Sequence, residues 1–301
     1  MRVPRLPARF PYGAPTWPTS VPRARAERRT GVNYDTSWAR RYPVRLVRAV
    51  VLDGVTRPLI HAIASPTIEG LDRLEAMTGP AIFAPNHASH IDTPLLLTAL
   101  PERIRHRTAI AAAADTFFDK QWKAAISAFG IGAIPIERIR VSPQSTRLGA
   151  ELIKDGWNLV IFPEGGRSPD GWGRAHRAGA AYLAQRTGAP IVPVHMHGTR
   201  RIQKKGGKGI RPSSTRVSFG RPLRPDEGED TRAFAARVEH AIAVLADEEA
   251  NGYWQARRRA SAGTTPGLTG PAAPPWRRTW ALAEGKRRTE GPRRWPRTSR
   301  S

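Results

Sequence analysis

Residues 86–92, Asn86-His87-Ala88-Ser89-His90-Ile91-Asp92, set an imidazole and a carboxylate five positions apart. A histidine paired with a carboxylate can take a proton from a hydroxyl while the acid orients the ring and stabilises the imidazolium that forms. Five residues along one continuous helix would turn the two side chains about 140° apart. A contact therefore requires His87 in a loop and Asp92 in the first turn of the helix that follows. The flanks predict that geometry: Pro80-Ala81-Ile82-Phe83-Ala84 reads as a short buried strand, and Thr93 to Leu100 as a helix with Pro94 in its first turn. Ser89 followed three positions later by Asp92 also fits a helix cap that needs no chemistry, and the spacing alone leaves both readings open.

A second segment, Val160 to Ser168, runs an apolar strand into Pro163-Glu164-Gly165-Gly166-Arg167. Glycines there let backbone N–H groups approach an anion, and an arginine presents a planar fork to phosphate oxygens.

Together these segments resemble the glycerolipid acyltransferase family, which includes the lysophosphatidic acid acyltransferases. The block Asn-His-x-Ser-x-x-Asp is matched at every defined position by Asn86, His87, Ser89 and Asp92. A block Gly-x-x-Phe-Ile-x-Arg is similar to Gly132 through Arg138, with Pro135 in the place of phenylalanine. A block Phe-Pro-Glu-Gly-Thr-Arg-Ser is similar to Phe162 through Ser168, with Gly166 in the place of threonine, and Val-Pro-Val matches Val192 to Val194. The blocks fall in order within residues 67 to 245. The resemblance implies that His87 is the general base and Asp92 its orienting acid. It also implies that Asn86, Ser89, Arg138, Glu164, Gly165, Gly166 and Arg167 line the acceptor site. The arginines and the Gly165 backbone would meet the phosphate; Glu164, being an anion, would instead fix an arginine or bind an acceptor hydroxyl.

Direct transfer agrees with the rest of the chain. Cysteine is absent and no Gly-x-Ser-x-Gly elbow occurs, so the signatures of a covalent acyl-enzyme are missing. A thioester is activated enough for a base and some oxyanion stabilisation to suffice. No cofactor and no metal are expected; the donor, acyl-CoA or an acyl carrier protein thioester, is a substrate. His195 and His197 alternate along a strand end, but no acid pattern completes a metal site there.

The 301 residues and 40% hydrophobic content allow one sizeable domain with tails. Strands at Thr67–Gly70, Thr108–Ala113 and Thr215–Gly220 alternate with helices at Phe117–Phe129, Ser145–Lys154, Ala178–Gln185 and Thr231–Glu248. This predicts a single α/β acyltransferase-like domain over 41–252, with a mixed or parallel sheet flanked by helices. In the 117–129 helix, Phe118, Trp122, Ile126 and Phe129 read as core positions. The stretch from Val44 to Ala64 reads as a helix with Arg41, Arg45 and Arg48 on one face and Val47, Val50, Val51 and Gly54 opposite. Its apolar face suits a membrane interface or packing on the domain equally.

Net charge is +24, of which residues 1–41 carry +7 and residues 254–301 carry +10. Residues 1–40 and 253–301, rich in proline and arginine, are expected to be disordered basic tails. In the second, Trp254, Trp276, Trp280 and Trp295 interleave with Arg277, Arg278, Arg293 and Arg294, a pattern that suits an anionic membrane surface and equally suits a solvated tail. Such tails would hold the protein to a bilayer without shaping the site. The loop from Arg200 to Arg211 adds six basic residues, suited to the phosphates of coenzyme A or to a membrane.

No apolar run of about 20 residues, the length that spans a bilayer, and no secretory signal is visible. The expected function is transfer of a fatty acyl group to a lysophospholipid, foremost 1-acylglycerol-3-phosphate, at the cytoplasmic face of a membrane by a peripheral enzyme. The alternatives are an acceptor without a phosphomonoester, suggested by Gly166 and Pro135, and a non-catalytic basic protein binding lipid or nucleic acid. Nucleic acid is the less favoured partner given the lipid-enzyme blocks.

Overall fold

A computed structural model of the chain describes residues 31–137, 143–204, 206–207, 209–274 and 276–278. Seven strands, β1 (Pro66–Glu69), β2 (Ile82–Pro85), β3 (Thr108–Ala113), β4 (Ala133–Ile136), β5 (Asn158–Val160), β6 (Ile191–His197) and β7 (Thr215–Phe219), form one sheet in the order β1-β7-β6-β2-β5-β3-β4. Every pairing is parallel except β6 with β7, so the sheet is mixed, as expected. β2 lies between β5 and β6, with Phe83 in register with Val160 on one side and Val192 on the other. The segments after β2 and β5 thus leave the sheet side by side at carboxyl ends, where open α/β sheets place ligands.

Twelve helices accompany the strands among the described residues. The first six are α1 (Tyr42–Val51), α2 (Arg57–Ala64), α3 (Asp72–Glu75), α4 (Asp92–Ala99), α5 (Glu102–Arg105) and α6 (Ala114–Phe117). The others are α7 (Gln121–Ile131), α8 (Pro143–Lys154), α9 (Gly179–Thr187), α10 (Thr199–Ile202), α11 (Thr231–Asn251) and α12 (Tyr253–Ser261). Ile60 and Ala64 of α2 and Leu95 to Leu97 of α4 cover one face of the sheet with Phe83, Val194 and Phe219. Leu152 of α8, Leu183 of α9 and Phe234, Val238 and Ile242 of α11 cover the other with Ile82, Leu159 and Ile191. The buried strand β2 and the helix α4 fix where the 86–92 loop begins and ends.

Two expectations are corrected, and one left open is decided. The predicted 117–129 helix is broken after Phe117, and only part of its apolar set is core. Phe118 is fully buried, but Trp122 and Ile126 of α7 are 60% and 63% exposed. In the predicted 44–64 helix, a π-helical turn at Leu52–Thr56 joins α1 to α2, and the inward face is the basic one. Arg48 is 2% exposed and Arg45 lies over the Trp157 ring, whereas Leu46, Val47, Val50, Val55 and Leu59 face outward. Burial first, then repulsion from Arg45 and Arg40, pushes Arg48 down to about 10. Asp53 is held by Arg105 and His106, which explains an acid inside an otherwise apolar stretch.

The second correction concerns the tails. Residues 31–40 are folded: the Gly31 amide donates to the Phe118 carbonyl, Tyr34 packs on the Phe118 ring, and Thr36 and Ala39 are buried. After α11, α12 packs back with Ala256 fully buried, and residues 264–274 and 276–278 lie along the surface of the domain. Residues 1–30 and 279–301, with Trp280, Trp295, Arg293 and Arg294, lie outside the described residues.

Candidate active site

His87 stands in the loop after β2 and Asp92 opens α4, the placement that the five-residue spacing demands. His87 Nδ1 and Asp92 Oδ2 are 2.9 Å apart, and the same oxygen accepts the backbone amides of Ala88 at 2.7 Å and Ser89 at 2.8 Å. Asp92 is fully buried. A buried carboxylate sharing three donors cannot swing away from the ring, so the proton of the neutral imidazole belongs on Nδ1 and the lone pair on Nε2. The Phe162 ring packs on the imidazole at a centroid distance of 4.1 Å, fixing the plane in which Nε2 points. The cap reading is met in part: the Ser89 amide donates to Asp92 and Ser89 Oγ accepts the Ile91 amide at 3.3 Å, but α4 starts at Asp92 and its N-cap residue, Ile91, makes no side-chain cap. Cap and acid/base pair are one structure, because the turn that seats Asp92 against the backbone also brings it to His87.

Several candidate residues hold the backbone of the site together. The Asn86 amide donates to the Met196 carbonyl at 3.0 Å and accepts the Met196 amide at 2.7 Å, so it pins the end of β2 to β6. Ser89 is fully buried in the turn. Glu164 is 2% exposed and bridges the two loops: one oxygen accepts the His87 amide at 2.9 Å, the other the Arg174 amide at 3.0 Å. Burial is the main cause that pushes the Glu164 carboxyl up to about 7, against the pull of these two amides. Asn86, Ser89 and Glu164, expected to line the acceptor site, thus spend polar atoms on the backbone around the base.

The glycines and arginines give the loop its open side. Gly165 has φ +65°, a conformation that glycine adopts without strain, and a Cβ there would collide with the Arg177 guanidinium. At Gly166, where threonine was expected, a Cβ would lie 3.1 Å from Arg174 Nη1. Arg167 is half-buried and close enough to His90 to help lower its pKa, burial being the larger cause. Arg174 and Arg177, missed in the sequence, thus join Arg167 beside the two glycines. Their signal was present as basic residues a few positions past the glycine pair, but only the fold of the loop turns them back. Arg138 lies outside the described residues.

Of the basic loop, Arg200 reaches the Pro169 carbonyl at 3.4 Å, next to the same site, while Lys205 and Lys208 lie outside the described residues. His195 is buried, which pushes it down to about 3, and His197 pairs with Glu249 at 3.3 Å. Among the described residues no cluster of three metal-ligating side chains occurs, and no helix is long and apolar enough to cross a membrane.

Comparison with known proteins gives one family, whose model, described as Acyltransferase, matches residues 65–197. A chloroplastic 1-acyl-sn-glycerol-3-phosphate acyltransferase of Brassica napus is 28% identical over 172 residues, 54% of this chain and 46% of that protein. A 1-acyl-sn-glycerol-3-phosphate acyltransferase of Pseudomonas aeruginosa is 35% identical over 105 residues, 35% and 40% of the two chains. The chain spans about half the length of the curated relatives it matches. The crystal structure of the 1-acyl-sn-glycerophosphate acyltransferase of Thermotoga maritima superposes with a TM-score of 0.55 at 21% identity, covering 73% of this chain and 85% of that one. It shares the fold.

Proposed function

We propose, from the acyltransferase-family domain that this chain carries over residues 65–197, that it moves a fatty acyl group from a thioester to the free hydroxyl of a lysophosphatidate at a membrane surface. The observation that carries the reading is the single carboxylate oxygen of Asp92 shared by the His87 ring and two backbone amides. An acceptor hydroxyl approaching Nε2 gives up its proton as its oxygen attacks the thioester carbonyl. The new C–O bond forms, the C–S bond breaks, and the imidazolium returns the proton to the departing thiolate. Asp92 stabilises the imidazolium in between. The relatives are named for 1-acyl-sn-glycerol-3-phosphate as acceptor, and Arg167, Arg174 and Arg177 beside Gly165 and Gly166 supply the cations that a phosphomonoester needs. The replacement of threonine by Gly166 favours an anionic acceptor, since it leaves room for the Arg174 guanidinium.

The outward apolar residues of α1 and α2 continue onto α7, which packs beside α1 and exposes Trp122 and Ile126. A surface of this kind, on a chain of net charge +24, suits the interface of an anionic bilayer, where apolar side chains insert and basic residues meet headgroups. This supports interfacial binding over packing on the domain as the role of the outward face of residues 42–64. The test is a panel of acceptors with acyl-CoA as donor: the reading expects lysophosphatidate to be acylated with at least about tenfold higher kcat/KM than monoacylglycerol, the discrimination of one charge-assisted contact. Equal efficiency on the two would replace lysophosphatidate by an acceptor without the phosphate.

A further inference from the structure

The loop from Glu164 to Arg177 has no helix or strand of its own, yet it must hold the glycine pair and its arginines in one arrangement. Part of that order comes from behind it. The Ser168 amide donates to the His87 carbonyl at 2.9 Å, and the Gly171 amide to the buried Ser168 Oγ at 2.7 Å. With Glu164 on the His87 amide, the base is gripped by this loop through both its backbone N–H and its C=O.

The rest comes from the chain after α12, which crosses the outside of the loop. The Gly173 amide donates to the Leu268 carbonyl at 2.9 Å, and Leu268 packs on the core cluster beneath. Gly270 has φ +71° and lies so close under the Trp172 indole that a Cβ would have no room. The indole Nε1 donates to the Arg278 carbonyl at 2.9 Å, and the Arg278 guanidinium returns to Asp170 Oδ2 at 2.6 Å and to the Pro271 carbonyl at 3.0 Å. Asp170 and Arg278 are each 22% exposed, so their ion pair is partly screened. The seat of the indole and the main-chain bonds supply the remainder of the hold.

We infer that residues 268–274 and 276–278 form a strap that positions the acceptor loop, and that Asp170, Trp172 and Arg278 are positioning residues for the transfer proposed above. None of them touches the reacting atoms. They act along a chain of contacts from Arg278 to Asp170 and Trp172, through Ser168, Arg174 and Glu164, to the backbone of His87. An irregular loop without such ties samples many arrangements, and small misplacements of substrate-holding groups are costly in rate. The inference rests on the acyl-transfer reading for its kinetic consequence and on the contacts alone for its structural one.

The test uses the full chain with Arg278→Ala, Gly270→Val and the exchanged pair Asp170→Arg/Arg278→Asp. Both single variants should raise the KM for lysophosphatidate about tenfold, the scale of a misplaced binding group, with the KM for acyl-CoA and the unfolding temperature close to wild type. The exchanged pair should recover most of the loss. Hydrogen exchange of the amides from Ser168 to Arg174 should quicken in Arg278→Ala and Gly270→Val. Unchanged acceptor KM and unchanged exchange in both single variants would overturn the strap. A wild-type chain that forms no acylated product would instead overturn the reaction, and the exchange measurement would then decide the strap by itself.

Discussion

The two loops that meet at the site are stabilised in opposite ways. Within residues 86–92 the acid/base contact is local: the ring, the carboxylate and the two amides that fix it all lie in that stretch, although Glu164 and Ser168 hold the His87 backbone from outside. Residues 164–177 depend on partners far along the chain, with Glu164 reaching back to His87, His176 bonded to Glu239 of α11, and Asp170 and Trp172 tied to Arg278. The His87–Asp92 contact is thus built by local geometry, while the backbone that carries His87 is shared with the acceptor loop. The acceptor loop is built by long-range contacts, so its substrate preference can be altered without disturbing the chemistry.

Substitutions at each loop test that division. His87→Ala should lower turnover by about 10²-fold or more, the usual contribution of a general base, with folding intact by circular dichroism. Asp92→Asn should lower it as well and, because one oxygen also holds two backbone amides, cost about 1–3 kcal/mol of stability in denaturant unfolding. Loss of stability with full turnover would leave only the cap. On the other loop, Arg167→Ala or Arg174→Ala should raise the acceptor KM about tenfold, the loss of one charge-assisted bond, and leave the thioester KM unchanged. Equal effects on both substrates would move these arginines away from the phosphate.

Away from both loops, Val50→Ser and Trp122→Ser should weaken sedimentation with anionic liposomes several-fold while sparing activity on detergent-dispersed acceptor. Unaltered sedimentation would place the membrane contact elsewhere. The smallest effect concerns Glu164, whose carboxyl is pushed up to about 7 in the folded chain. A folded-state value above the unfolded one means that the folded chain holds the proton more tightly, so this contribution is full below the ordinary carboxylate range and is lost as pH rises through about 7. The unfolding temperature of Glu164→Gln relative to wild type should therefore rise between pH 5 and pH 8. A constant difference would show that the bridging carboxyl does not titrate in this range.

What the sequence made legible follows the same division. The His87–Asp92 contact could be read from spacing because five residues and one helix start determine it. The buried strands β2 and β3 and the closing helix α11 could be read from apolar runs and spacing; the cap that starts α11, Asp230 accepting the Arg232 and Ala233 amides, was not singled out. Sequence pattern misassigned Trp122 and Ile126, because helical spacing marks an apolar face without saying whether protein or something else covers it. It left open which way α1 faces for a related reason: Arg45 and Arg48 turn inward, their guanidinium groups over Trp157 and against Gly132. Composition called residues 264–278 a tail, since proline and glycine are frequent there, although Gly270 is what admits the Trp172 ring. Glu164 as a bridge between loops had no local pattern, and Arg174, though basic and close to the glycine pair in sequence, is brought beside Gly166 only by the fold of the loop.

The most direct test of the central claim is to incubate the purified wild-type chain with acyl-CoA and lysophosphatidate and to measure released thiol and diacylated product in the same sample. The account predicts one phosphatidate formed for each thiol released, and loss of both together in His87→Ala. Thiol release without phosphatidate, or phosphatidate formed equally well by a folded His87→Ala chain, would contradict it.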